Sequence, residues 1–149
     1  MYRLSDRSLE RLSTCHIDLE LIMKFSLEYS MVDFGIAEGH RTVERQQELF
    51  NTILPNGNRL TKIDGVTRMG KHNYTPSMAV DTFAWVNGAS SYNYETLCYI
   101  AGVITATAKI LHTQKVIDHL IRWGGNWDGD GEIITDQGFQ DLVHFELIN

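Results

Sequence analysis

Apolar residues recur along this chain with two different periods, and the change of period marks out its elements. From Ile17 to Tyr29 the residues Ile17, Leu21, Ile22 and Phe25 fall on one side of a 3.6-residue turn, which predicts a helix with one buried stripe. A short strand-like stretch, Phe34 to Ala37, leads into Gly39-His40-Arg41-Thr42, where Thr42 can cap a second helix running through Gln46 to about Ile53. From Met78 to Val86 the period becomes two. Asp81, Phe83 and Trp85 project one way, and Val80, Thr82, Ala84 and Val86 the other, which places an aspartate on the aromatic side of a strand. Asn93 caps a further helical region that passes Ile100, Val103, Ile104 and Ile110 and reaches about Leu120, with room for a break midway. A final alternating run, Leu142 to Ile148, sets His144 and Glu146 against Val143, Phe145 and Leu147.

Two stretches lack either period. Pro55 to Ser77 holds both prolines among Gly, Asn, Thr and Lys and reads as a long ordered loop; loops of that length tend to carry function. Gly124 to Gly138 reads as a turn rich in Gly and Asp. With no internal repeat or linker, the pattern predicts one α+β domain over residues 1–149, helices packed on a small, mainly antiparallel sheet, without a separate second domain.

Composition narrows the function classes. A chain of 149 residues, 43% apolar, can bury one sizeable core. Its net charge of −6 disfavours a nucleic-acid binder or a protein drawn to anionic lipid. Cys15 and Cys98 stand far apart, so there is neither a disulfide framework nor a Cys-x-x-Cys motif. The start, Met-Tyr-Arg-Leu-Ser-Asp-Arg, lacks the basic-then-apolar pattern of a secretory signal, and no uninterrupted apolar run approaches the roughly 18 to 20 residues of a bilayer span.

The candidate chemistry is metal chemistry. A catalytic zinc usually takes three protein ligands from His and carboxylate and keeps its fourth position open. His72 at the end of a glycine-bearing loop, Asp81 on one strand and His144 on another can supply that set. The other four histidines, His16, His40, His112 and His119, read as surface or hydrogen-bonded residues. Asp141, three residues before His144, can act as general base towards the attacking water, although on spacing alone it reads equally as a solvated turn residue. Glu146 shares the face of His144 and can orient its imidazole, or can be a simple exposed glutamate. A second, weaker signal is Asn126-Trp127-Asp128-Gly129-Asp130-Gly131, which begins like a calcium loop through Asn126, Asp128 and Asp130 but has Gln137 where the closing glutamate belongs.

Taken in order, Arg41-Thr42 with Gln46 and Leu49, Gly70-Lys71-His72, Ala79-Val80-Asp81 with Trp85, Arg122-Trp123-Gly124-Gly125-Asn126-Trp127, and Asp141-Leu142-Val143-His144-Phe145-Glu146-Leu147 resemble the zinc D-alanyl-D-alanine carboxypeptidases and L-alanyl-D-glutamate peptidases, and within them the bacteriophage endolysins. The resemblance runs from about Gly39 to the C-terminus. It implies Zn2+ on His72, Asp81 and His144, Asp141 as general base, and Arg41 as a group that grips a substrate carboxylate or the developing oxyanion, with Gln46 and Trp127 beside the substrate. Two features depart from the family pattern. Eight residues separate His72 from Asp81 where the family usually has six, and Ser77 stands where a glycine is usual. The function implied is hydrolysis of the L-alanyl-D-glutamate amide of peptidoglycan stem peptides during phage-type lysis. The protein would be a monomer made in the host cytoplasm, released by a separate pore-forming protein, and active on the wall without entering nucleic acid or membrane. The alternatives are a D-alanyl-D-alanine carboxypeptidase or dipeptidase and a non-catalytic zinc-containing wall-binding module.

Overall fold

The computed structural model describes residues 1–149. In chain order the elements are α1 (Asp6–Leu12), α2 (Ile17–Tyr29), β1 (Asp33–Glu38), α3 (Val43–Asn51), a single 3-10 turn (Lys71–Asn73), β2 (Ala79–Val86), β3 (Ala89–Ser91), α4 (Tyr94–Thr113), β4 (Leu120–Gly124) and β5 (Asp141–Ile148). The strands make one antiparallel sheet in the order β1-β2-β5-β4, and β3 pairs with the second half of β2. This is the α+β arrangement that the alternating runs predict.

The alternation along β2 divides the sheet into two faces. Val80, Thr82 and Ala84 are buried, while Asp81 and Phe83 are partly open and Trp85 is exposed. On the buried side Phe34, Ile36, Phe145 and Leu147 join Leu19, Ile22 and Met23 of α2 and Ile100, Ile104 and Ala108 of α4 in a single apolar cluster. Burial at roughly 25 cal/mol per Å² of apolar surface makes this cluster the main source of stability. It holds the other face, with Asp81 and His144, as a rigid platform.

Both predicted caps are present: the Thr42 side chain accepts from Arg45 N–H and the Asn93 side chain from Thr96 N–H. The helix after Asn93 stops at Thr113, however, instead of reaching Leu120. Gln114 caps it, Lys115 turns the chain through a positive φ of 59°, and Leu120 opens β4. The apolar residues of 117–123 fit either period, and only pairing with β5 makes them a strand. α3 ends at Asn51, two residues short of the expected end. α1 was not anticipated, being mostly polar. It closes the open edge of β1: Ser8 Oγ accepts from Ile36 N–H at 3.0 Å and Arg11 Nη1 donates to Ile36 O at 2.8 Å, which satisfies backbone groups that an edge strand leaves unpaired. At 20 residues and a mean hydropathy of 1.2, α4 has the length and composition of a membrane span, but its apolar stripe is packed against α2 and the sheet.

The long loop ahead of Asp81 is ordered by internal bonds. Asp64 accepts from the backbone N–H groups of Val66, Thr67 and Arg68. Ser77, at the family's glycine position, is fully buried; its hydroxyl donates to Ala79 O and its N–H to Thr14 O.

Candidate metal centre

Three side chains from the 3-10 turn, β2 and β5 meet on the open face of the sheet. Asp81 lies opposite His144 in the β2–β5 register, and both project to that face. His72 joins them because its turn is tied down twice: Arg41 N–H donates to His72 O at 2.8 Å and Asn73 Nδ2 to Arg41 O at 3.0 Å. The result is a tight triangle. His72 Nε2 lies 3.1 Å from Asp81 Oδ1, His144 Nδ1 lies 3.0 Å from the same oxygen, and the two nitrogens are 3.2 Å apart.

The outer nitrogens decide what this triangle means. His72 Nδ1 is 2.7 Å from the Gly39 carbonyl, and His144 Nε2 is 3.0 Å from a Glu146 carboxylate oxygen. Both partners only accept, so each ring carries its proton on the outer nitrogen and, when neutral, turns a bare lone pair inward. Two lone pairs and a carboxylate oxygen then face one another at about 3 Å, an arrangement that favours a bound positive charge, whether a metal ion or a proton. The donor set, two imidazoles and one carboxylate, fits zinc with a position left open.

The surrounding charges stabilise positive charge at the triangle. Burial works against ionising Asp81, but His144 and His72 hold its carboxyl well below the ordinary range. Burial disfavours a charged His144 as well, yet Asp81 and Glu146 push its pKa well above that of a free imidazole. Glu146 is itself lowered to about 2: burial opposes this, and bonds from His144 and from Arg122, whose Nε donates to Oε1 at 3.1 Å, outweigh it. Glu146 therefore orients the His144 ring, and Arg122, directly across the β4–β5 pair, steadies Glu146. Arg122 was noticed in the sequence only as part of a motif; its cross-strand register with Glu146 is what places it.

Asp141 needs a backbone irregularity to join the group. Strict alternation would send a residue three before His144 to the opposite face, but β5 bulges between Phe145, which pairs with Trp123, and Asp141, which pairs with Gly124. Any Cβ at position 124 would come within 2.2 Å of Asp141 O, so glycine is required there. Burial raises the Asp141 pKa, the Asp81 charge adds to this, and His144, His72 and Arg41 partly offset it. Asp141 thus sits in the field of the triangle as a carboxylate of increased basicity.

Arg41 arrives with most of its donors already committed. Its Nε donates to Glu38 Oε1 at 3.0 Å, Nη2 bonds the other oxygen of Glu38, and Nη1 donates to Gln46 Oε1 at 3.0 Å. Asp81 Oδ2 lies 3.6 Å from Nη2. The forked edge that would grip a carboxylate is therefore filled by Glu38, leaving single N–H groups for a substrate. Gln46, fully buried, also donates to Ile63 O at 2.8 Å, so it reaches the site only by positioning Arg41. Trp127 leans over His144, ring centroids 5.5 Å apart, and stacks on the exposed Phe139 at 6.3 Å.

The remaining candidates lie elsewhere. Of the calcium trio, Asp128 and Asp130 converge with Asp136. Asn126 is occupied within its own turn, accepting from Gly129 N–H and donating to Asp130 O. His16 and His119, set aside as ordinary histidines, come together with Asp18 as a second group of metal-type donors. Cys15 and Cys98 are free, and burial pushes the Cys15 thiol up to about 11.

None of the curated protein sequences matches the chain. A solved structure does: the crystal structure of the L-Ala D-Glu endopeptidase ChiX from Serratia marcescens superposes with a TM-score of 0.71 at 26% identity, covering 98% of this chain and 90% of that one. The sequence model of the family described as phage L-alanyl-D-glutamate peptidase matches residues 1–148, so that a fold, a convergent His-Asp-His triangle and a family profile agree. The chain belongs to the phage L-alanyl-D-glutamate peptidase family.

Proposed function

We propose that this protein is a zinc-dependent endolysin that hydrolyses the amide between L-alanine and D-glutamate in peptidoglycan stem peptides. The observation that carries this reading is the inward convergence of two imidazole nitrogens and one carboxylate oxygen, each ring oriented from outside by Gly39 O or Glu146. His72, Asp81 and His144 would hold the zinc, which when bound supplies Lewis acidity and lowers the pKa of water to about 7. Asp141, raised in basicity by burial, accepts the proton of the attacking water and returns it to the leaving amine. The remaining N–H groups of Arg41 stabilise charge developing on the scissile carbonyl oxygen. Trp127 and Phe139 offer a flat apolar wall on the His144 side. Acting on the wall, the enzyme would reach its substrate once a separate protein has breached the membrane.

The test pairs metal content by mass spectrometry with digestion of purified muropeptides and mass analysis of the products. The expected result is one zinc per chain and cleavage after L-alanine. Asp141→Asn keeps the zinc and loses on the order of 10²-fold in kcat. Unchanged turnover in that variant would refute the role of Asp141, and products released only from D-alanyl-D-alanine ends would replace the proposed substrate bond.

A further inference from the structure

Beside the triangle the structure opens a cavity of about 730 Å³, bounded by Arg7, Glu10 and Arg11 of α1, by Arg45 of α3, and by Glu38 and Asp81. Three of these six charges are already paired: Glu38 is held by Arg41, Asp81 belongs to the triangle and Arg45 bonds Glu48 on its own helix. Arg11 is in no ion pair but is fixed by the bond from one nitrogen to Ile36 O. Arg7 and Glu10 differ. One turn apart on α1, they face the same cavity and form no ion pair with each other or with any other side chain. A pocket wall that displays one free guanidinium and one free carboxylate is complementary to a ligand bearing both charges, such as the ammonium and carboxylate of an amino-acid head group.

The two sides of the metal centre have opposite character. The Trp127–Phe139 wall is apolar, whereas the α1 side is charged. A stem peptide cut after L-alanine has a matching asymmetry: sugar and alanine lie before the scissile bond, and D-glutamate and the charged third residue after it. Resting on the peptidase reading above, we propose that the α1 cavity receives the third residue of the stem, and that Arg7 and Glu10 select a zwitterionic side-chain end, that of a diaminopimelate residue, over the bare ammonium of lysine. Arg7 takes the extra carboxylate. Glu10 takes the ammonium that both residue types carry.

The experiment uses the zinc-loaded full chain and two uncrosslinked muropeptides that differ only in the third residue, meso-diaminopimelate or L-lysine. The expected result is a KM about tenfold lower for the diaminopimelate substrate, the size of one charge-assisted contact, with similar kcat. Arg7→Gln should raise KM for the diaminopimelate substrate alone and bring the two within about twofold, whereas Glu10→Gln should raise KM for both. Both residues are solvent-exposed on a surface helix, so the variants fold. Equal KM values in the wild type, or an equal loss on both substrates in Arg7→Gln, would overturn the assignment while leaving the peptidase reading intact. Failure of the wild type to cut either substrate after L-alanine would overturn both.

Discussion

The chain contains two His–Asp–His groups that look alike in composition and differ in where their protons lie. In the triangle of His72, Asp81 and His144, the outer nitrogens face acceptors and the inner ones face each other at 3.2 Å. In the group of His16, Asp18 and His119, the hydrogen bonds pair donors with acceptors. Asp18 Oδ2 accepts from Asp118 N–H and His119 N–H at 3.0 Å each and from His119 Nδ1 at 2.8 Å, and His16 Nδ1 accepts from Asp18 N–H at 3.1 Å. The first group gathers its free lone pairs around a point where a positive charge is favoured. The second is satisfied without one and clasps the start of α2 to the turn before β4. Identical residue types within a few ångströms do not define a metal site; unmatched lone pairs do.

The sharpest way to break this comparison is to remove the two aspartates separately. Asp81→Ala should abolish stoichiometric zinc and reduce wall-lysis activity by more than about 10³-fold, since it takes away a ligand and the only anion in the triangle. Zinc retained in that variant, and lost in His119→Ala, would exchange the roles of the two groups.

A smaller effect is expected from Glu146→Gln, which keeps an acceptor oxygen but not the charge behind His144. Zinc affinity should fall by about 10- to 100-fold, read by competition with a chelating dye, with the apo fold unchanged by circular dichroism.

For the clasp the readout is stability. Asp18→Ala should cost about 3 kcal/mol in urea unfolding, because three donors lose a charged acceptor, while zinc content stays at one per chain. Its acid dependence has a definite sign. Burial opposes ionising Asp18, but bonds from His119 and the Asp118 and His119 backbone hold its pKa below 3.8. The stabilisation is therefore fully present above the unfolded value and lost as pH falls through the lower folded one, so wild type and variant should differ most at neutral pH and converge below pH 3.8. His16→Ala removes the N-cap of α2 and an edge contact with the His119 ring and should cost about 1 kcal/mol, again with zinc retained.

Much of this site was legible in one dimension. Alternation along β2 and β5 put Asp81 and His144 on the faces they occupy, Thr42 and Asn93 marked two helix starts, and the ordered motifs named the triangle and Glu146. Each of these depends on local backbone geometry, in which a side chain's direction follows from its place in a two-residue or 3.6-residue repeat. Elements whose identity rests on a distant partner were not legible. β4 is a strand because β5 lies beside it, and α1 is held by the edge of β1. The bulge that turns Asp141 towards the triangle depends on Gly124, seventeen positions away.

The sequence by itself determined the fold class, the residues of the triangle and the family, because those follow from short-range periodicity and from residue types at characteristic spacings. Tertiary structure alone decided which of two His–Asp–His groups turns its ring nitrogens towards one another, that Glu38 fills the forked edge of Arg41, and that Arg7 and Glu10 share a cavity with Asp81. The physical reason is the same in each case. Protonation, donor saturation and cavity lining are set by the partner each atom meets across space, and no local pattern encodes that partner.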